Sequence, residues 1–120
     1  ISKRFIYKMK KIEAIIRPER LGAVRSALET VGYSGLMITE IEGHGKQKGV
    51  TQQWRGKNYK VELLAKVKIE IVAHDKDVDK IMEGITKAAG TGKLGDGKIF
   101  VYHVETAMRI RTGEKGDSAI

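Results

Sequence analysis

The chain has 120 residues, 41% hydrophobic and 32% charged, which fits one globular domain and excludes a disordered polymer. It has no cysteine, so disulfides, thiolate metal sites and thiol nucleophiles are excluded together. An excess of 23 Lys and Arg over 15 Asp and Glu leaves a net charge of +8, which favours anionic partners such as nucleotides, nucleic acid or small carboxylates.

Residues 9–17 read as a strand, with Ile12, Ala14 and Ile16 alternating with Lys11, Glu13 and Ile15. Pro18 closes it, because proline suits a first helical turn but not a central strand. Leu21, Val24, Leu28 and Val31 follow at helical spacing, and Gly32 supplies a C-terminal stop. A second strand is predicted over 36–41. Residues 43–58 carry Gly43, Gly45, Gly49 and Gly56 with almost no aliphatic side chain, and read as a long polar loop. This part of the chain is also basic: from His44 to Lys60 it carries Lys46, Lys48, Arg55, Lys57 and Lys60 and no acidic residue.

A third strand is predicted over 61–73, where Val67, Ile69 and Ile71 alternate with Lys66, Lys68 and Glu70. Asp75 or Asp77 is placed to cap a helix carrying Val78, Ile81, Met82 and Ile85 on one face. The glycine-rich segment 90–98 leads into a last strand over 99–104, and the tail 108–111 could add edge pairing. The order β-α-β-β-α-β is the ferredoxin-like α+β arrangement. Such a domain covers one sheet face with its helices and leaves the other bare. Ile15, Leu63 and the strand after Lys98 offer apolar side chains there, so a homo-oligomer is expected. No apolar run approaches the ~20 residues of a spanning helix, and the first ten residues lack the apolar core of a signal peptide, so the expected location is the cytoplasm.

The segment Thr91-Gly92-Lys93-Leu94-Gly95-Asp96-Gly97-Lys98 is the most informative. Three glycines let backbone N–H groups converge on phosphate oxygens, and two lysines supply charge. Gly92 to Lys98 formally satisfies G-x-x-x-x-G-K, but Ile99 stands where a Walker A loop needs Ser or Thr, and the loop runs helix to strand instead of strand to helix. The reading is a phosphate cradle without NTPase chemistry, against the alternative of a plain helix-to-strand connection. Arg109 and Arg111 lie two apart, so on an extended tail both guanidiniums face one side, either to grip a polyphosphate or to solvate the surface. The serines lack a His–Asp pattern, and His44, His74 and His103 are unspaced for a metal. Binding is therefore a better class than catalysis. A small nucleotide hydrolase lacks a water-activating residue. A nucleic-acid binder, faintly echoed in Lys98-Ile99-Phe100-Val101-Tyr102, lacks a stacking surface at 6% aromatic content.

The motifs, taken together, resemble the PII nitrogen-regulatory signal proteins from Met9 to Ile120. The resemblance is carried by Met9-Lys10-Lys11-Ile12-Glu13-Ala14-Ile15-Ile16-Arg17-Pro18, by Gly43-x-Gly45-Lys46-Gln47-Lys48-Gly49, and by Trp54-Arg55-Gly56-x-x-Tyr59. It continues in Lys66-Val67-Lys68-Ile69-Glu70-Ile71-Val72, Thr91 through Val101, and Arg109-Ile110-Arg111-Thr112-Gly113-Glu114. Residues 1–8 precede the family's usual start as an extension or remnant, and 9–120 form the signalling domain.

The resemblance implies a homotrimer that binds ATP or ADP in clefts between neighbours. It makes the basic excursion the T-loop, 91–98 the B-loop and the tail from Thr106 the C-loop. Nucleotide contacts would come from Gly45, Lys46, Gln47, Lys48, Gly49, Thr91, Gly92, Gly95, Asp96, Gly97 and Lys98, with Arg109 and Arg111 reaching in from the adjoining subunit. Gln47 would help ligate Mg²⁺ beside the ATP phosphates, and Gln47, Lys48, Gly49 and Lys66 would hold 2-oxoglutarate. Arg55 would lead contact with an ammonium transporter, which would bring the protein to the membrane periphery; nitrogen-metabolism enzymes or regulators are further implied partners. Tyr59 matches the tyrosine on which a nucleotidylyltransferase acts in many bacterial members. Met37 stands near the adenine where the family often has Thr, Trp54 where Tyr is common, and Lys57 replaces the serine that some photosynthetic members phosphorylate.

Overall fold

The computed structural model describes residues 8–54 and 57–120, with side chains described for 8–42 and 65–120. The elements run β1 (Met9–Ile16), α1 (Leu21–Val31), β2 (Met37–Trp54), β3 (Lys57–His74), α2 (Val78–Ala89) and β4 (Lys98–Val104). They form one sheet in the order β2-β3-β1-β4, antiparallel at every pairing. This is the expected ferredoxin-like α+β fold. No helix among the described residues is long and apolar enough to cross a membrane.

Strand alternation builds the core. Ile12, Ala14 and Ile16 of β1 and Val67, Ile69, Ile71 and Ala73 of β3 turn inward and are buried against Val24 and Leu28 of α1 and Ile81, Ile85 and Ala89 of α2. Gly32 ends α1 in the left-handed conformation at φ +99°, and the Tyr33 N–H closes onto the Leu28 carbonyl at 2.9 Å. The caps expected of Asp75 and Asp77 are not made. Asp77 has helical dihedrals, which turn its carboxylate away from the first-turn N–H groups. It accepts the Tyr33 hydroxyl at 2.6 Å, while Asp75 pairs with Lys10.

Residues 43–58 also depart from expectation. β2 runs on to Trp54 and β3 begins at Lys57, so the basic excursion is the far end of an antiparallel ribbon rather than a loop. The ladder is continuous from Met37↔Glu70 to Gln47↔Lys60, shifts register, and resumes at Gln52↔Tyr59. The sequence pattern reports side-chain burial, whereas a two-stranded ribbon is held by main-chain hydrogen bonds and requires no apolar face. The molecule measures 62 × 30 × 26 Å, its length matching the ~60 Å reach of an 18-residue strand. Among the described residues the tail likewise does not pair with a sheet edge. Met108 bridges Lys115 across a tight turn, where the Gly113 N–H donates to the Arg109 carbonyl at 2.8 Å.

On the helix-free sheet face, charge occupies the centre. Lys11 Nζ lies 3.0 Å from Glu70 Oε2 and 3.7 Å from Glu13 Oε2, and Lys68 Nζ lies 3.6 Å from Glu70 Oε1. The Lys11 hydrogen bond lowers the Glu70 pKa, and the same bond raises that of Lys11. Lys11 also stands 5.0 Å from the Tyr102 ring centroid. The apolar residues expected here flank that lattice: Ile15 is half-buried, and Phe100 and Tyr102 are exposed. Leu63 lies outside the described side chains.

Candidate functional site

Segment 91–97 joins α2 to β4 and folds around one carboxylate. Asp96 Oδ2 accepts the N–H groups of Thr91 at 2.8 Å and Gly92 at 2.9 Å. Its Oδ1 accepts the Thr91 hydroxyl and Arg17 Nε, the latter at 3.2 Å. Thr91 Oγ1 in turn accepts the Lys93 N–H at 3.2 Å. Gly92, Gly95 and Gly97 have φ of +81°, +93° and +108°, which side chains rarely tolerate. At Gly97 a Cβ would sit 1.7 Å from the Ile15 carbonyl oxygen, so only glycine lets the loop lie on β1 as it feeds into β4.

Four donors and the Arg17 charge hold the Asp96 carboxyl well below the usual carboxylate range, the Thr91 hydroxyl contributing most. A carboxyl lowered on folding stabilises above its unfolded pKa of ~3.9 and loses that contribution as pH falls through the folded value. The loop's hydrogen bonds are therefore expected to persist below about pH 4, where a free carboxyl is already protonating. Their contribution to stability shrinks from there, and the bonds fail as pH nears the lowered value. The ¹³C titration of the Asp96 carboxyl checks this, and an ordinary carboxylate midpoint would contradict it.

Beside the loop, Ile15, Ile41, Lys66, Lys93, Gly95, Gly97, Lys98 and Phe100 border a cleft of about 550 Å³. Lys66 Nζ donates to the Gly95 carbonyl, which ties β3 to the loop. Lys66 is also the register partner of Ile41, where the ribbon leaves the body of the sheet. The structure thus brings together Lys66, Gly95, Asp96, Gly97 and Lys98. Thr91 and Gly92 belong to the same loop, but their N–H groups are already taken by Asp96.

The other residues singled out in the sequence lie elsewhere. Gly45, Lys46 and Gln47 pair with Glu62, Val61 and Lys60 on the ribbon, and Lys48 and Gly49 fall in its register shift. The side chains of Lys46, Gln47, Lys48 and Tyr59 lie outside those described, and Arg55 lies outside the described residues altogether. Arg109 and Arg111 are not on an extended strand, so the two-apart fork is not formed. Arg109 opens the tail turn, its Nη1 3.8 Å from Glu114 Oε1 and its N–H on the Glu114 carbonyl at 2.9 Å. Among the described residues, no hydrogen bond or ion pair joins this turn to segment 91–97.

Arg17 was missed. Read along the chain it is only the last residue of a strand before Pro18, yet its Nη2 donates to the Leu94 carbonyl at 2.7 Å while its Nε holds Asp96. The contact joins residues 79 apart, and no local pattern announces it.

A protein-family model described as nitrogen regulatory protein P-II matches residues 9–114. The nitrogen regulatory protein P-II of Haemophilus influenzae is 56% identical over 112 residues, 93% of this chain and all of that protein. P-II 1 of Escherichia coli K12 is 54% identical over the same shares. Among solved structures, the B. subtilis GlnK–ATP complex superposes with a TM-score of 0.80 at 34% identity, covering 94% of this chain and 96% of that one. Arabidopsis thaliana PII bound to citrate superposes with a TM-score of 0.77 at 38% identity, covering 95% and 94%.

Proposed function

This chain belongs to the nitrogen regulatory protein P-II family, whose members are signal-transduction proteins and not enzymes, and on that premise we propose that it senses ATP or ADP and 2-oxoglutarate and transmits their state through the β2–β3 ribbon. The observation that carries the reading is the cleft that Lys66, Lys98 and the left-handed Gly95 and Gly97 border together. The one carboxylate in that loop is already paired with Arg17, so the polar side of the cleft offers an anion lysines and bare backbone, while Ile15, Ile41 and Phe100 form its apolar side.

In this reading the nucleotide's phosphates lie against Gly95, Gly97 and Lys98. Met37, placed near the adenine by the family resemblance, borders a second cleft of about 570 Å³ with Gly35, Glu70 and Val72. Arg109 and Arg111 sit on a separate turn and complete the phosphate site from an adjoining copy, in the homotrimer that the family resemblance implies. Among the described residues no group of three His, Cys, Asp or Glu gathers to hold a metal. As the family resemblance implies, Mg²⁺ would rest on the Gln47 amide oxygen and on ligand oxygens, a hard-oxygen set that suits it. Lys66, with the backbone of Lys48 and Gly49, takes 2-oxoglutarate. The ribbon end that carries Arg55 meets a nitrogen-related partner, an ammonium transporter or an assimilation enzyme, and Tyr59 is the residue open to nucleotidylylation.

Thermal unfolding with ATP tests the nucleotide site. At ~100 times its Kd, a ligand adds ~2.7 kcal/mol, several degrees in Tm for a chain of this size. Lys98→Ala is expected to remove most of that shift at unchanged oligomer size by light scattering. An undiminished shift in the variant would overturn the assignment.

A further inference from the structure

We infer that Arg17 is a positioning residue for the nucleotide loop, holding 91–96 in its binding conformation through Asp96 and Leu94 without itself touching the phosphates. The inference rests on the nucleotide reading above.

Among the described residues the guanidinium is the one group outside the loop that grips it at two points, Asp96 Oδ1 at 3.2 Å and the Leu94 carbonyl at 2.7 Å. Asp96 then gathers the loop's first N–H groups, so the bonds form a ring hung from the end of the central strand β1. A Cβ on Gly95 would lie 3.4 Å from Arg17 Nη2. Charge supplies the second part of the argument. A bare carboxylate inside a phosphate loop repels its ligand, and Arg17 cancels that repulsion while Lys66, Lys93 and Lys98 remain beside the cleft for the anion. A planar fork holds both acceptors in fixed geometry, which a lysine ammonium does not match.

The test uses the full chain and ATP as the probe. Arg17→Gln and Asp96→Asn are each expected to weaken ATP binding about tenfold by calorimetry. Because one acts through the other, the double variant is expected to be no more than about threefold weaker than the poorer single. Arg17→Lys, which keeps the charge but not the fork, is expected to recover part of the loss. Without nucleotide, Arg17→Gln is expected to speed amide exchange at Thr91 and Gly92 about tenfold and to move the Asp96 carboxyl titration up towards the ordinary range. Losses that multiply in the double variant would make Arg17 a direct phosphate ligand and overturn the inference. Unchanged exchange and titration would overturn it as well. A wild type that binds no ATP while Arg17→Gln still loosens the loop would uphold the positioning and overturn the nucleotide reading.

Discussion

Lys66→Ala is expected to abolish 2-oxoglutarate binding while leaving the ATP affinity within a few-fold. A dicarboxylate in this cleft needs a cation that is free to meet it. Lys66 is held by a neutral acceptor, the Gly95 carbonyl, and can exchange it for a carboxylate, which forms the stronger charge-assisted bond. Lys98 and the loop glycines stay in place for the phosphates, so the nucleotide loses only the strap between β3 and the loop. Titration of 2-oxoglutarate into protein already holding Mg²⁺ and ATP measures the first effect, and titration of ATP alone measures the second. Full 2-oxoglutarate affinity in the variant would refute the assignment. Equal affinity in wild type lacking nucleotide would refute the order of assembly.

Gly97→Ala is expected to lower stability by about 3 kcal/mol or more, a fall in Tm of roughly 10 °C or more at fixed protein concentration. Its φ of +108° is unsuitable for alanine, and the new Cβ would meet main-chain atoms: the Ile15 oxygen at 1.7 Å, the Ile15 carbonyl carbon at 2.8 Å and Ile16 Cα at 3.4 Å. Main chain in a central strand cannot swing aside as a side chain does, since β1 is bonded to β3 on one edge and β4 on the other. Gly92→Ala is the control. It shares the positive φ, but a Cβ there meets nothing within 4 Å, and the expected cost is about 1 kcal/mol. Equal melting temperatures for the two variants would show that the close approach to β1 does not matter.

Local periodicity sufficed for most of the fold because its elements are amphipathic at their own period. Ile12, Ala14 and Ile16 announce β1, Leu21 through Val31 announce α1, and both helices end where their C-terminal glycines stand. It failed where structure does not depend on an apolar face. The ribbon beyond Gly43 is main-chain pairing between polar strands, and the Asp77 cap was lost to a tertiary partner, Tyr33. The same division runs through the site. The glycines and Lys98 of segment 91–98 could be read in sequence because the backbone conformation itself demands them. Arg17 and the Lys66–Gly95 bond could not, since each joins segments that only the folded sheet brings together. Arg109 and Arg111 were found as residues but misjudged in shape, because the turn closed at Gly113 replaces the extended geometry that their spacing assumed.

The unbroken ladder from Met37 to Gln47 has a mechanical meaning. From Glu42 to Trp54 the arm extends about 40 Å at ~3.3 Å per residue, and its base sits at the Ile41↔Lys66 pair. By simple leverage, a tilt of roughly 10° at that base would sweep the far end by about 7 Å over the same length. A small tilt beside Lys66 would thus become a movement about two residues long at the far end of the arm. The register shift between Gln47 and Gln52 interrupts the ladder, so that bending there would require only the pairs from Gln52↔Tyr59 to Trp54↔Lys57 to re-form for the tip to point in a new direction.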